Sequence, residues 1–515
     1  MQTFLRVFAI LLADVRERTR SPRFWIVLGL MAYATWWCFP DVHSGYITLA
    51  LMDHSRGLYS SAWMGMGLGL IYSSLLNLVG FYLVRGTLTR DFDTRVWQLL
   101  VTTPMTRAGY LFAKWLSHMA VFAAIATVSL AVAAAAQWVR AEDRHFDLIE
   151  LAKPLLVLAT PSLGLTAAFA IWFDLVPWLR RTAGNVLYFF LWITLLTVPL
   201  VRYEGVKHID PQGWSSDPAG MLVAAREIGH VREAQTGKPL PLGLNLGGVP
   251  VEGGPQRFEW KAWSPPSVML IGRALWLALS VLLAIGVAPL LDWAASRGLS
   301  AARSGDRAGR RLRAIDWLLA PFARGPLGIL TVAELKLALR QRRVWWWLAA
   351  IGVIGAQCAP MPAMQIGLLL AWLLPLDVLA HAALREREHA TGALVFTAPS
   401  ILARLFGARA LSGITLLALL SAPSLLRLAS STPISALALG VVIVSLTVWG
   451  LAFGALCRNA RPFEMLMVGT VYVCLQGGTL LDVVHAPLRT LQVHGIGLAL
   501  AGALLAWAWP RLARR

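Results

Sequence analysis

A chain that repeatedly presents runs of about 20 mostly apolar residues has few folds open to it, because lipid cannot satisfy backbone polar groups and its hydrocarbon layer is about 30 Å thick. Twelve such runs occur here, near 24–40, 63–84, 115–137, 154–174, 185–201, 267–291, 344–360, 363–384, 410–428, 434–457, 463–481 and 494–510. Only 14% of residues are charged and 57% are hydrophobic, whereas a soluble domain carries roughly 25% charge. An ordinary soluble fold is excluded, and the expectation is an all-α polytopic membrane protein with about 12 transmembrane helices.

Charge sets the orientation. Of the 46 Lys and Arg, 32 fall on segments that are inner if the N-terminus is cytoplasmic, 12 on outer segments, and Arg273 and Arg427 within spans. Seven of the outer twelve lie in one long loop, 202–266, which counts little because long loops translocate largely regardless of charge. Both termini are therefore expected in the cytoplasm of a bacterial-type inner membrane. The net charge of +19 follows from positive-inside topology and attraction to anionic lipid, so nucleic acid is not an expected partner. Residues 1–23 mix charges with apolar residues and read as an amphipathic helix on the membrane surface, not as a signal peptide. The inner segment 292–343 holds eleven bases, among them Arg310, Arg311 and Arg313, and reads as a basic surface linker, 292–325, leading into a second half.

Self-comparison supports that division. At an offset of 320, Asp14, Arg16, Arg20, Arg23, Trp25, Cys38 and Pro40 meet Glu334, Lys336, Arg340, Arg343, Trp345, Cys358 and Pro360. At an offset of 295, Arg90-Asp91-Phe92-Asp93 meets Arg385-Glu386-Arg387-Glu388, then Leu99 meets Leu394, Thr102 meets Thr397, Pro104 meets Pro399 and Lys114 meets Arg409. Chance matches between apolar stretches would not keep charges and prolines in register. The expected organisation is two parallel six-helix repeats, 1–291 and 326–515, related by an axis along the membrane normal.

The second match falls in the inner loop between the second and third spans of each half. Thr103-Pro104 and Ala398-Pro399 read as helix starts, since Pro has no N–H to leave unpaired and its φ is already helical. Each loop is expected to form a short cytoplasmic helix joined rigidly to a span, a device suited to transmitting force from a cytoplasmic partner.

These loops resemble those of ABC-2-type permeases, the membrane subunits of ATP-binding cassette exporters. The family pattern is an acid, a Gly, Leu-rich sequence, Thr-x-Pro and a base. Glu386, Glu388, Gly392, Leu394, Thr397, Pro399 and Arg409 follow it in the second half, and Asp91, Asp93, Leu99, Leu100, Thr102, Pro104 and Lys114 in the first, where Trp97 replaces the Gly. The amphipathic helices at 1–23 and 326–343 are similar to the family's interfacial connecting helices. The resemblance implies an export permease that is not itself an enzyme, docking a separate cytoplasmic ABC ATPase, two copies per chain, through the loop helices. The chain has no GxxxxGK[ST] phosphate loop, so ATP and Mg would be held by that partner and no cofactor is expected in this chain. Reversing Glu386 and Glu388 to Lys is then expected to weaken docking with folding intact. The alternatives are a secondary transporter of the major facilitator type, disfavoured by the lack of a midplane carboxylate, and a non-transporting membrane anchor or sensor.

Charged residues in spans are costly and point to function. Arg273, about a turn and a half into its span, is the candidate path-lining charge. Asp174, Asp377, Glu464, His118 and His381 fall near inner span ends and read as solvated or capping groups, with Asp377 and His381 spaced to pair. Arg427 can snorkel outward. The many Trp at span ends, including Trp25, Trp37, Trp63, Trp115, Trp345, Trp346, Trp347, Trp507 and Trp509, read as interfacial anchors. Four scattered cysteines without CxxC spacing exclude a zinc site, while Cys38 and Cys358 hold equivalent positions where a bridge is conceivable. Loop 202–266, with a short helix near 218–234, has three open readings: a lid, a docking surface for a periplasmic partner, or an insertion without a role. The substrate, whether lipidic, peptidic or otherwise hydrophobic, is not legible.

Overall fold

The computed structural model describes residues 2–42, 44, 46–51, 53–94, 96, 105–140, 142–176, 178–180, 182–203, 217–237, 244–250, 255–293, 323–340, 342, 344–389, 391–397, 400–475 and 478–512. Most of the 292–325 linker, with Arg310, Arg311 and Arg313, lies outside them. Helices dominate, and among the described residues nine are long and apolar enough to cross a membrane: Ser61–Phe92, Arg107–Arg140, Leu148–Leu175, Thr182–Pro199, Ser267–Gly286, Ala363–His381, Ile401–Leu420, Pro433–Cys457 and Pro487–Leu512. The runs expected near 24–40 and 344–360 form shorter apolar helices, Phe24–Trp37 and Trp345–Cys358. The run near 463–481 forms Arg461–Leu475. At 1.5 Å per residue, helices of this length reach only about 20–23 Å.

The chain divides into two compact units, 1–180 with 187–300, and 181–186 with 301–515. The first begins with α1 (Gln2–Thr19) and α2 (Pro22–Trp37), then α3 (Ser61–Val84), α4 (Thr87–Asp93) and the 34-residue α5 (Arg107–Arg140). Next come α6 (Leu148–Pro154), a π-helical turn at Leu155–Ala159 and α7 (Thr160–Leu175). The membrane part closes with α8 (Thr182–Tyr203), whose first residues group with the second unit, and α10 (Ser267–Gly286). Helix α5 is central, and α1, α2, α3, α7 and α10 all pack on it.

Proline explains the irregular helix. Pro154 cannot donate to the carbonyl of Glu150, and the chain widens into the π turn immediately after it. Gly65 and Gly69 present a bare face of α3 to this bend; a Cβ at Gly65 would lie 2.5 Å from Leu151 O and 2.8 Å from Glu150 O. These glycines let two backbones touch, as small residues do in membrane packing.

The end of this unit away from α1 carries a small cap assembled from two loops far apart in sequence. Strand β1 (Tyr46–Leu51) pairs antiparallel with β3 (Leu244–Pro250), with a register shift between Ile47 and Leu49, and β2 (Arg56–Gly57) pairs parallel with β4 (Arg257–Phe258). Helix α9 (Met221–Thr236) completes it, bounded by Gly220 and Gly237, both left-handed. The described parts of the long loop thus form two strands and a helix, and its strands complete the pairing of the first loop.

In the second unit α11 (Gly325–Arg340) is followed by α12 (Val344–Cys358), α13 (Ala363–Leu373) and α14 (Leu376–His381). Two single turns follow, α15 (Arg385–Glu388) and α16 (Gly392–Val395), then α17 (Ile401–Leu420), a short amphipathic α18 (Ala422–Ser431), α19 (Pro433–Cys457), α20 (Arg461–Leu475) and α21 (Pro487–Ala508). Here α19 is central, packing against α14, α17, α18, α20 and α21. In each unit the leading amphipathic helix lies on the long helix that follows the loop: α1 on α5, and α11 on α17.

Candidate functional site

Four charged positions converge where the leading helix, the loop and the following helix meet in the first unit. Lys114 Nζ of α5 lies 2.9 Å from Asp14 Oδ2 of α1 and 2.8 Å from Asp91 Oδ2 of α4, with the lysine side chain 3% exposed and each carboxylate 8%. Tyr110, one turn earlier on α5, donates to Asp91 Oδ2 at 2.6 Å. Arg90 closes the group, 3.9 Å from Asp14 and paired with Glu17.

The second unit repeats this arrangement. Arg409 of α17 pairs with Glu386 of α15 and lies 3.4 Å from Glu334 of α11, while Arg385 pairs with Glu334. Burial lowers the Arg385 guanidinium from its ordinary value, with the Glu334 charge acting against that shift. The four members correspond one for one: Asp14 and Glu334 at the offset of 320, and Arg90 and Arg385, Asp91 and Glu386, Lys114 and Arg409 at the offset of 295. Each group holds two acids and two bases, so it is neutral. Removing the buried base, Lys114 or Arg409, would strand the carboxylates it holds, which costs about 3–5 kcal/mol.

The expected coupling residues thus separate into two kinds. Asp91, Lys114 and Arg409 are buried in these groups, and Glu386 is partly buried there. Glu388 and Leu394 face outward, and Leu394 is 77% exposed, a large apolar side chain on a charged loop. A lysine at position 386 would face Arg409 and Arg385, so reversal of Glu386 should also cost stability. Thr397 donates to Leu394 O at 2.7 Å. Gly392 has no left-handed conformation, and a Cβ there would meet Phe396 at an ordinary 3.4 Å, so the backbone does not demand glycine. Leu99, Leu100, Thr102, Pro104, Trp97 and Pro399, and the side chain of Asp93, lie outside the described residues.

The expected helix starts at Thr103-Pro104 and Ala398-Pro399 lie outside the described residues. Among those described, α17 begins at Ile401 behind Ser400 at φ 54°, and near the start of α5 Thr106 Oγ1 accepts from Gly109 N at 3.1 Å.

Arg273 has a different role from path lining. Its guanidinium donates to the carbonyls of Leu158, Asp217 and Pro218 at 2.9 Å each and of Val157 at 3.3 Å. It therefore clamps the π turn to the base of the cap. Asp217 in turn accepts from the N–H groups of Gly220, Met221, Leu222 and Val223, capping α9, and burial pushes its carboxyl above the usual range although Arg273 and these N–H groups oppose it. Elsewhere on the cap, Glu142 lies 2.7 Å from Arg56 and 3.2 Å from Arg257 and accepts from Tyr59 N.

Other polar residues are reassigned by packing. Asp174 caps α4 through Gly86 N at 2.7 Å, but it is buried. His118 is wholly buried against Thr87 at 2.9 Å, not solvated. Glu464 is buried within the second unit and accepts from Thr182 and Asn185. The Asp377 carboxylate pairs with Arg342, while His381 meets Asp377 at its backbone carbonyl, Nδ1 at 3.0 Å, with Nε2 3.5 Å from Glu388. Arg427 is exposed and donates to Ala359 O at 2.9 Å. Trp25, Trp37, Trp345, Trp347 and Trp507 are exposed as anchors would be, whereas Trp63, Trp115, Trp346 and Trp509 are core residues. All four cysteines are free.

Comparison with protein-family models, with curated proteins and with solved structures finds no match to this chain. The two charge groups are therefore the features on which a functional reading rests.

Proposed function

We propose that this chain is the membrane subunit of an ATP-driven exporter of the ABC-2 type: two parallel six-helix halves in one chain, set in a bacterial inner membrane with both termini cytoplasmic. Phe24–Trp37, Trp345–Cys358 and Arg461–Leu475 would complete twelve spans, short helices being accommodated by local thinning and flanking polar residues. The chain acts as a permease, and ATP hydrolysis, with its Mg, belongs to a separate cytoplasmic ATPase bound in two copies.

The observation that carries this reading is the pair of neutral four-charge groups at corresponding positions. Each ties a loop to a surface helix and to a membrane helix through short ion pairs, so a push on the loop moves both helices together. A boundary loop with no mechanical task has no need of such rigid attachment in duplicate. The exposed Leu394 and Glu388 then present the contact to the ATPase, an apolar side chain flanked by charge, as interface anchors are.

Purification of the tagged chain from its native membrane in gentle detergent, with native mass and mass spectrometry of what accompanies it, tests the reading. A Walker-motif ATPase at two copies per chain is expected. Leu394→Asp combined with Glu388→Lys should release it without changing the elution of the chain. Repeated absence of an ATPase, or retention by the double variant, overturns the coupling role.

A further inference from the structure

The membrane helix Leu148–Leu175 runs short of backbone donors at one place, the π turn. Thr160 N–H reaches back five residues to Leu155 O, and Pro161 has no N–H to offer Val157 O, its partner four residues back in an α-helix. No water reaches a bare carbonyl in lipid, so the shortfall must be met from within the protein. Arg273 of α10 meets it. Its Nε donates to Val157 O at 3.3 Å and its Nη2 to Leu158 O at 2.9 Å, and the same guanidinium holds Asp217 O and Pro218 O at the base of the cap. The cap base also rests on the turn directly. At Gly220, left-handed at φ 74°, a Cβ would lie 2.8 Å from Leu158 Cδ2 and 3.3 Å from Arg273 Cζ.

The two sides of the turn are attached to different parts of the unit. Helix α6, before it, is tied to the cap: Glu150 Oε2 accepts from Trp263 N at 2.9 Å, and Lys153 Nζ donates to Trp263 O at 2.8 Å. Helix α7, after it, is tied to the helix bundle. Trp115 Nε1 of α5 donates to Gly164 O at 3.0 Å, Thr166 Oγ1 to Asn77 Oδ1 of α3 at 3.0 Å, and Trp172 Nε1 to Leu283 O of α10 at 2.8 Å. Where α6 crosses α3 it lies on the bare backbone of Gly65 and Gly69, which have no side chains to interlock with it. Packed helices slide on such contacts, and a helix bends where proline and a π turn already interrupt its ladder.

We infer that the π turn is a hinge worked from the cap: cap and α6 move together against α7, and Arg273 is the pin, a positioning residue that fixes the turn while the cap base is seated. Displacing the cap draws the guanidinium off Val157 and Leu158 and frees the turn to bend. Every part of this device lies in the first unit. It does not rest on the exporter reading, so it is tested with no ATPase present.

Amide hydrogen exchange read by mass spectrometry, on the full chain in phosphatidylcholine nanodiscs, follows hinge and cap separately. Asp53 pairs with Arg232 of α9, about three turns from Gly220. Asp53→Asn removes that pair and keeps the acceptor for Ser55. It should speed exchange across 155–166 by about fivefold, the worth of one ordinary hydrogen bond, as well as across 221–236. Arg273→Met should speed the hinge by at least as much, and Asp53→Asn added to it should speed the hinge no further. Pro161→Ala in the Arg273→Met chain returns an N–H to Val157 O. It should slow the hinge again while 221–236 stays fast, which a merely structural contact would not produce. Exchange across 167–175 should stay unchanged throughout. A change confined to the cap in Asp53→Asn, or equal acceleration of 155–166 and 167–175, overturns the hinge. So does a Pro161→Ala chain that exchanges as fast as Arg273→Met alone. Asp53→Asn leaves the clamp residues in place, so it decides the matter even where Arg273→Met fails to elute as folded protein.

Discussion

Replacing Lys114 by Met tests whether the charge group of the first unit carries the weight placed on it. Asp14 and Asp91 lie 2.9 and 2.8 Å from the same Nζ, and each side chain is 8% exposed. Without the lysine the two carboxylates, about 6 Å apart or less, repel by about 3 kcal/mol at an effective dielectric of about 20. Arg90, 3.9 Å from Asp14, compensates only in part because it is half-exposed and shared with Glu17. The expected loss is therefore about 3–5 kcal/mol, the range for stranding a buried charge. Adding Asp91→Asn should return about 1–3 kcal/mol by removing one of the repelling charges. Equilibrium unfolding in mixed micelles, titrated with a denaturing detergent, gives both numbers. Arg107→Met is the control, since Arg107 and Asp292 are 37% and 61% exposed and such surface pairs contribute about 0–1 kcal/mol. A Lys114→Met loss no larger than that of Arg107→Met, or a double variant no more stable than the single one, would refute the reasoning.

Glu142 should make the cap acid-sensitive. Burial raises its carboxyl, but hydrogen bonds from Arg56 and Tyr59 N and the charges of Arg56 and Arg257 outweigh this and hold it below the ordinary value. A depressed carboxylate adds stability that is present above the unfolded value, about 4.3, and is lost as pH falls through the folded one. Glu142→Gln should thus melt earlier than the native chain at pH 7, with the gap closing below about pH 4. Gly65→Ala should destabilise the first unit by at least about 2 kcal/mol, since its Cβ would meet backbone oxygens that cannot rotate away. Gly29→Ala, with nothing within 4 Å, should be neutral or slightly stabilising in the same unfolding assay. Arg273→Lys should cost about 2–3 kcal/mol, because an ammonium cannot reach four carbonyls, and hydrogen exchange across 217–236 should rise while exchange across 107–140 does not.

The membrane class was legible in the sequence because bilayer thickness imposes one length on every spanning helix, and that length shows as apolar runs. The charged register at the two offsets was equally legible, because charges are rare enough in such a chain for their spacing to stand out. It already contained Asp14, Glu334, Arg90 and Arg385, which were visible as matches but not as members of one site. What joins them is folding: α1 on α5 and α11 on α17 bring residues about 100 and 75 positions apart into contact. The cap was hidden for a related reason. Its strands, Tyr46–Leu51 and Leu244–Pro250, come from loops separated by the membrane helices, and a short strand has no periodicity that names its partner. Arg273 shows the same limit, since its position within a span marked it as unusual, while its use as a clamp depends on carbonyls that only the Pro154 bend and the Asp217 turn place within reach. Pattern along the chain reports the solvent that each residue meets, and the pairing of buried charges is decided by which helices come to lie side by side.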